Sequence, residues 1–406
     1  MVYSSCKQGD SMHTSSTTPF RRDRLTWLGY FLIAYLAYLQ AAVGPLMPFF
    51  RAEYGYGYLE ASWHFSAPAV GGIVTGIIGA RLVLRFGRRA AIWLGSAGMA
   101  LGYMLLMYGG LLPLSIGGMI LAGFAGTLLQ SATQSALSDR HGERRAYALT
   151  ELNVSASLAA LMAPFLISSF EQLGVGWRAA IYLFVVYFAL LWLIFRRVRV
   201  PMPPQSEDAP AQRQSKPLPP LFWAYALVLI LIIAIEWSII YWGADFLERA
   251  VGFERTTASG LMTFFFIAAL IGRLIGSRLT RRYRSTTLLI GAMFLAIGGF
   301  ALLWAAPTPD LSVLGLFMAG LGTANLFPQA ISLALGIAAE QVDAANARVA
   351  LSVSLSLLVA PQLLGGLADQ IGIQYAYGTV LIFQFIALLL IVLANWALRR
   401  RAPALA

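Results

Sequence analysis

The chain has 406 residues, 59% of them apolar and only 12% charged, proportions that exclude a soluble globular fold. So much apolar surface cannot be hidden in one core, and lipid must be the main solvent. The formal charge of +11 is no nucleic-acid footprint, because the basic residues sit in short loops between apolar runs, where membrane topology is encoded.

Residues 1–20 are polar and rich in Ser and Thr, lack the apolar stretch of a signal peptide, and read as a disordered tail. Arg21, Arg22 and Arg24 lead into a first apolar run, 25–50, long enough to span a bilayer at about 1.5 Å per residue. Further runs follow at 61–84, 90–108, 114–138, 146–170 and 177–195. Residues 196–220 are polar and Pro-rich and read as a linker. Six more runs follow at 221–247, 256–279, 286–306, 311–337, 344–368 and 375–398, with a short tail at 399–406. The expected fold is an all-α membrane protein with twelve spans in two pseudo-symmetric six-helix bundles, 21–195 and 221–398.

The bundles are copies of one another. The arginine-studded turn 79–89 (G-A-R-L-V-L-R-F-G-R-R) has an echo at 276–284 (G-S-R-L-T-R-R-Y-R), which starts 197 residues later. At the same offset 153–164 lies over 350–361 with six of twelve positions identical, and Ala122-Gly123 falls on Ala319-Gly320. Small residues are common in membrane helices, but Arg81/Arg278, Arg85/Arg282 and Pro164/Pro361 are not so cheaply matched. Shared offsets over three stretches mark an internal duplication. Gly79 and Gly276, and Pro164 and Pro361, are expected on corresponding helices.

With both termini and the linker in the cytoplasm, 24 of the 29 Lys and Arg residues are cytoplasmic. Four (Arg51, Arg178, Arg249, Arg255) fall outside, and Arg273 lies within a span. That asymmetry predicts a multi-pass plasma-membrane protein, a bacterial inner-membrane one, with both ends inside. The single cysteine, Cys6, allows no disulfide framework or cysteine-ligated metal. His13, His64 and His141 have no ligand spacing, and neither a metal nor a cofactor is expected. A phosphate-binding G-x-x-x-x-G-K-[ST] motif is absent from the sequence, which argues against a self-powered pump.

Twelve spans in two halves, a central linker and basic turns after spans 2 and 8 resemble the major facilitator superfamily across nearly the whole chain. That family's turn after span 2 reads G-x-L-x-D-R-x-G-R-R. Residues 80–89 keep the Arg85-Phe86-Gly87-Arg88-Arg89 end but place Leu84 at the aspartate and Ala80 at the first glycine. In the family that acid helps latch the halves on the cytoplasmic side, so an equivalent latch is expected elsewhere. Gly176-Trp177-Arg178 and 320–328 (G-L-G-T-A-N-L-F-P) are similar to other family stretches, the latter most like fucose-permease-type sugar symporters. Two marks of drug antiporters are missing: span 5 has Ala163-Pro164 in place of a Gly-Pro signature, and span 4 carries no arginine. The resemblance implies a secondary active transporter that moves a small organic solute by alternating access. Proton-coupled symport of a sugar or polyol is the nearest analogy, and export or flipping of amphipathic compounds or lipids is the alternative. A membrane sensor or structural protein without transport is a third class. Small-molecule substrate, protons and membrane lipids are the expected partners of a monomer.

Charge deep in a membrane is expensive and seldom idle. Glu236 in span 7 reads as a proton carrier or substrate ligand facing the cavity, as one end of an interhelical hydrogen bond, or as a group merely exposed to a water-filled vestibule. The family's cavity helices 1, 4, 7 and 10 make Gln40, Gln130, Gln134, Glu236 and Asn325 candidate substrate contacts, each amide having a helix–helix hydrogen bond as its alternative. His64 reads as interfacial, and Asp245 as wetted near the outer end of span 7. The expected gate comprises Arg81, Arg85, Arg88, Arg89 and Arg278 with Glu151 and Arg273. Glu151 lies six residues beyond Arg145, and Arg273 five before Arg278, so both sit about 8–9 Å from the cytoplasmic helix ends. A Glu151–Arg273 pair is expected to form when that side closes and to part when it opens. The competing arrangements are that each pairs within its own half or that Glu151 meets Arg348, its counterpart at the 197 offset.

Overall fold

A computed structural model describes residues 20–202, 217–306 and 308–401. The expected N-terminal tail, most of the linker and most of the C-terminal tail lie outside the described residues. The first half holds α1 (Arg24–Tyr54), α2 (Tyr58–Phe86), α3 (Arg88–Leu106), α4 (Leu112–His141), α5 (Arg145–Gln172) and α6 (Ala179–Phe195). The second holds α7 (Pro220–Phe246), α8 (Arg255–Leu279), α9 (Ser285–Ala305), α10 (Pro309–Thr323), α11 (Leu326–Ile337), α12 (Val342–Ile371), α13 (Ile373–Tyr377) and α14 (Thr379–Arg401). Ten stretches of the described residues are long and apolar enough to cross a membrane. One of them, Leu112–Gln172, contains α4 and α5, and Ala179–Phe195 is a shorter apolar helix. Counted as passes, these are the twelve expected spans.

The duplication is visible in the helix starts. Tyr58 and Arg255, Arg88 and Ser285, Leu112 and Pro309, and Arg145 and Val342 each open corresponding helices 197 residues apart. Gly79 and Gly276 lie near the ends of α2 and α8, and Pro164 and Pro361 inside α5 and α12. The tenth span departs from its partner α4 by breaking between α10 and α11. Pro328 lies four residues after Ala324, where its ring collides with that carbonyl in a continuous helix. Asn325 at the break donates Nδ2 to the Gly272 carbonyl of α8 at 2.7 Å. A Cβ at Gly276 would run into the Asn325 amide, so the break and the glycine fit each other.

Within each half, backbones approach closely at glycine. A Cβ on Gly71 of α2 would strike the Ile120 carbonyl of α4, and one on Gly123 of α4 the Pro68 carbonyl of α2. Such small-residue contacts give lipid-embedded helices their van der Waals attraction. At the chain's entry, Asp23 caps α1 by accepting from the Thr26 amide at 2.9 Å and also holds Arg140 at 2.6 Å.

Candidate functional site

Two neighbouring cavities lie between the halves. The smaller, about 150 Å³, is lined by α1, α5, α7 and α8 and contains Gln40, Ser157, Glu236, Trp237 and Arg273. The larger, about 690 Å³, is lined mainly by α1, α2, α4, α7 and α12, with Phe65, Met99, Tyr103, Met119 and Tyr241 among its walls. Gln40 and Trp237 border both, and they are counterparts at the 197 offset.

The cavities themselves are copies. Phe265, Phe266, Ala269, Leu270 and Arg273 on α8 line the small one, and Pro68, Ala69, Gly72, Ile73 and Gly76, their counterparts on α2, line the large one. Ser157 and Ser354 correspond in the same way on α5 and α12. Two phenylalanines and an arginine therefore fill on one side the space that proline, alanine and glycine leave open on the other. The sequence supplied the offset, and only the three-dimensional walls show that it relates two pockets.

Among the described residues that line the two cavities, the charged ones belong to the small cavity. Arg273 Nη1 donates to Ser157 Oγ at 3.0 Å, across the two halves. Its Nη2 stands 3.8 Å from Glu236 Oε1, inside ion-pair range but beyond hydrogen-bond length. Among the described residues Glu236 accepts no hydrogen bond, and Gln40 makes none. The Arg273 side chain is 48% exposed and that of Glu236 16%, so the pair faces the cavity without being spent on the protein.

Several expectations are corrected. Asn325 lines neither cavity, being committed to Gly272. Gln134 is half-buried beside the cavities rather than in them, whereas Gln130 lines the larger one. Glu151 and Arg273 are apart, as a pair that forms only when the terminal side closes would be in a state open toward the termini. Glu151 takes Arg22 in a two-point contact, 2.5 and 2.8 Å, and the Tyr30 hydroxyl at 2.7 Å, all within its own half. Arg22 stands just before α1, which packs along α5, so it reaches Glu151 first. Of the basic turn, Arg88 is buried and pairs with Asp139 of α4 at 2.6 Å, again within one half. Arg81, Arg85, Arg89 and Arg278 are exposed, Arg89 donating to the Arg196 carbonyl. His64 is not interfacial but fully buried, 2.9 Å from Ser115 Oγ.

The contacts that do hold the halves together lie at the end away from the termini, and sequence reasoning missed them. Asp245 is not wetted: its side chain is 0% exposed and lies 2.6 Å from Arg51 Nη1, itself 6% exposed. Arg51 also lies over the Tyr58 ring, 3.5 Å from its centroid, and donates to the Tyr56 carbonyl at 3.1 Å. Asp369, at the end of α12, accepts from the Tyr58 and Leu59 amides at 2.7 and 2.8 Å. It thus caps the N-terminus of α2 from the opposite half, where backbone donors lack partners and the helix dipole favours an anion. Gln362 joins Ser62 and Ser66, and Phe65 stacks on Tyr241 with centroids 4.2 Å apart. A Cβ on Gly44 of α1 would strike the Ile240 carbonyl of α7. Toward the termini, Gly76, Ile77, Gln130 and Leu351 on the cavity wall are all exposed. The cavity is therefore sealed at the far end and open toward the termini. One sign was available in the sequence: Arg51 and Asp245 are opposite charges near equivalent ends of two duplicated helices.

A helical membrane fold of two duplicated halves around a one-side-open cavity defines a transporter. The chain belongs to the Major Facilitator Superfamily, whose family model matches residues 26–250 and again 226–406. Among solved structures, the nucleoside transporter NupG aligns with TM-score 0.77 at 12% identity, covering 91% of this chain and 99% of that one. A D-xylose-proton symporter aligns at 0.72 and 13% identity, covering 91% and 95%. A bacterial homologue of the human lysosomal transporter Spinster, inward-facing and occupied, aligns at 0.68 and 15%, covering 93% and 98%. At such identities these likenesses establish the fold alone. No curated protein matches the sequence.

Proposed function

We propose that the chain is a secondary active transporter carrying a small organic solute by alternating access, with protons as the driving ion and Glu236 as their carrier. The observation that carries this reading is a carboxyl group at the interface of the halves, opposite an arginine and without a hydrogen bond of its own. An acid inside the membrane is retained for such work more often than for packing. The distribution of basic residues supports cytoplasmic termini, and on that reading the present state is inward-open. The Gln40 and Gln130 amides offer polar contacts to a solute, and the sugar and nucleoside carriers that share the fold set the first compounds to try. Export of amphipathic compounds is the second reading, favoured by the apolar lining of the larger cavity.

The test reconstitutes purified protein in liposomes and measures solute uptake driven by an imposed pH gradient. Thermal-shift screening narrows the solutes first, since a bound ligand stabilises by mass action. Glu236→Gln keeps shape and removes titration, so it abolishes uphill accumulation and spares exchange. Undiminished uphill uptake by this variant would dismiss Glu236 as the carrier.

A further inference from the structure

We infer that the solute is an organic monocarboxylate with an apolar body, its carboxylate bound by Arg273 in the small cavity and its body in the large one. This rests on the transport reading and specifies its substrate. A guanidinium carries five N–H donors, and Arg273 uses one, toward Ser157. The others make no hydrogen bond among the described residues, on a half-exposed side chain that lines the small cavity with Glu236 too far for one. A planar fork with free donors matches a carboxylate in two-point fashion. Ser157 fixes the fork's orientation from the opposite half, so the arginine is presented in one pose.

The second half of the inference comes from the other cavity. Among the described residues lining it there is no Asp, Glu, Lys or Arg, and the histidine there, His64, is buried against Ser115. At about 690 Å³ it has the size of a pocket for a small organic molecule. Trp237, common to both cavities, and Tyr241, stacked on Phe65, give an apolar or aromatic body a flat wall.

Charge balance then supplies the coupling. Among the described residues, Glu236 and Arg273 are the only charged ones lining either cavity. Empty and ionised, they sum to zero. An arriving carboxylate adds one negative charge between the halves, and one proton on Glu236 restores neutrality. Solute anion and proton then travel together, one for one, and the guanidinium exchanges its loose partner for a close one.

The test uses the full-length protein with alkanoates from butanoate to decanoate and phenylpropanoate as probes, each beside its primary amide, and with phenylalanine. Thermal shift and competition binding are read in detergent, and exchange in proteoliposomes. At least one carboxylate is expected to bind about tenfold or more tightly than its amide, the worth of one charge-assisted contact. Arg273→Gln should erase that preference, and Arg273→Lys should retain part of it. Equal binding of acids and amides, or an undiminished preference in Arg273→Gln, overturns the inference. So does tighter binding of phenylalanine than of phenylpropanoate, which would place an ammonium on Glu236. Exchange of neutral sugars without carboxylate binding would sink this inference and leave transport standing. Carboxylate binding that never alters the separation of the halves would instead sink alternating access.

Discussion

Asp245→Asn tests whether the far-end seal sets the resting state. The substitution leaves Arg51 charged and 6% exposed. An uncompensated buried charge costs about 3–5 kcal/mol. The Tyr58 ring and the Tyr56 carbonyl remain and offset about 1–2 kcal/mol of it, leaving a net cost of about 1–4 kcal/mol, or about 2–3 at mid-range. Opening that end returns Arg51 to water and removes the cost, so the equilibrium moves roughly 30- to 150-fold toward the far-end-open state. A protein resting at about 100:1 is brought near parity. Cys6 is the only native cysteine, so Cys6→Ser with Leu111→Cys and Tyr375→Cys carries spin labels at two exposed far-end sites in opposite halves. Electron–electron distance distributions in nanodiscs should gain a long component in Asp245→Asn. The exchange Arg51→Asp with Asp245→Arg should restore part of the short one. An unchanged distribution, or an exchange that behaves as the sum of the single changes, refutes the reasoning.

Other perturbations separate the remaining contacts. Gly44→Leu drives a side chain into the α7 backbone at Ile240 and should hold the far end open in the same spin-label assay while the Arg51 pair is intact. Asp369→Ala removes two amide hydrogen bonds at the α2 N-terminus and should shift the same equilibrium by about 1–2 kcal/mol, the worth of a helix cap. Glu151→Gln breaks a contact that is half-exposed and internal to one half. It should cost about 0–1 kcal/mol in thermal unfolding and leave the distance distribution as it was; a shift toward either state would make Glu151 part of the gate after all.

The twelve spans and their duplication were legible because lipid forces long apolar runs, and a repeat copies helix lengths as well as residues. The start of α12 at Val342 follows from the start of α5 by the offset alone. Glu236 was legible for a related reason, since charge in a span stands out against its surroundings. Asp245 was misjudged because its nearness to a helix end says nothing of what closes over it. For Glu151, depth along α5 gave no bearing around the helix axis, so its contact with Arg22 and Tyr30 in this state was not legible. Asn325 was chosen as an amide on a cavity helix, yet the break at Pro328 turns it toward α8. Asp369 escaped notice because its partners are backbone amides, which a sequence does not distinguish from any others.

The pairing of the two cavities bears on the shapes that can pass. Ser157 and Ser354 lie equally far along α5 and α12, each 12 residues beyond the first residue, Arg145 and Val342. The pockets are thus side by side at one depth, and a solute that fills both lies broadside to its direction of travel. Helices wall its two ends, while on the side toward the termini the path beside it is open. Such a carrier measures its cargo by length and is lenient about girth along the path. Affinity along a homologous series should climb with each methylene until the large pocket is full, and then fall abruptly with the next.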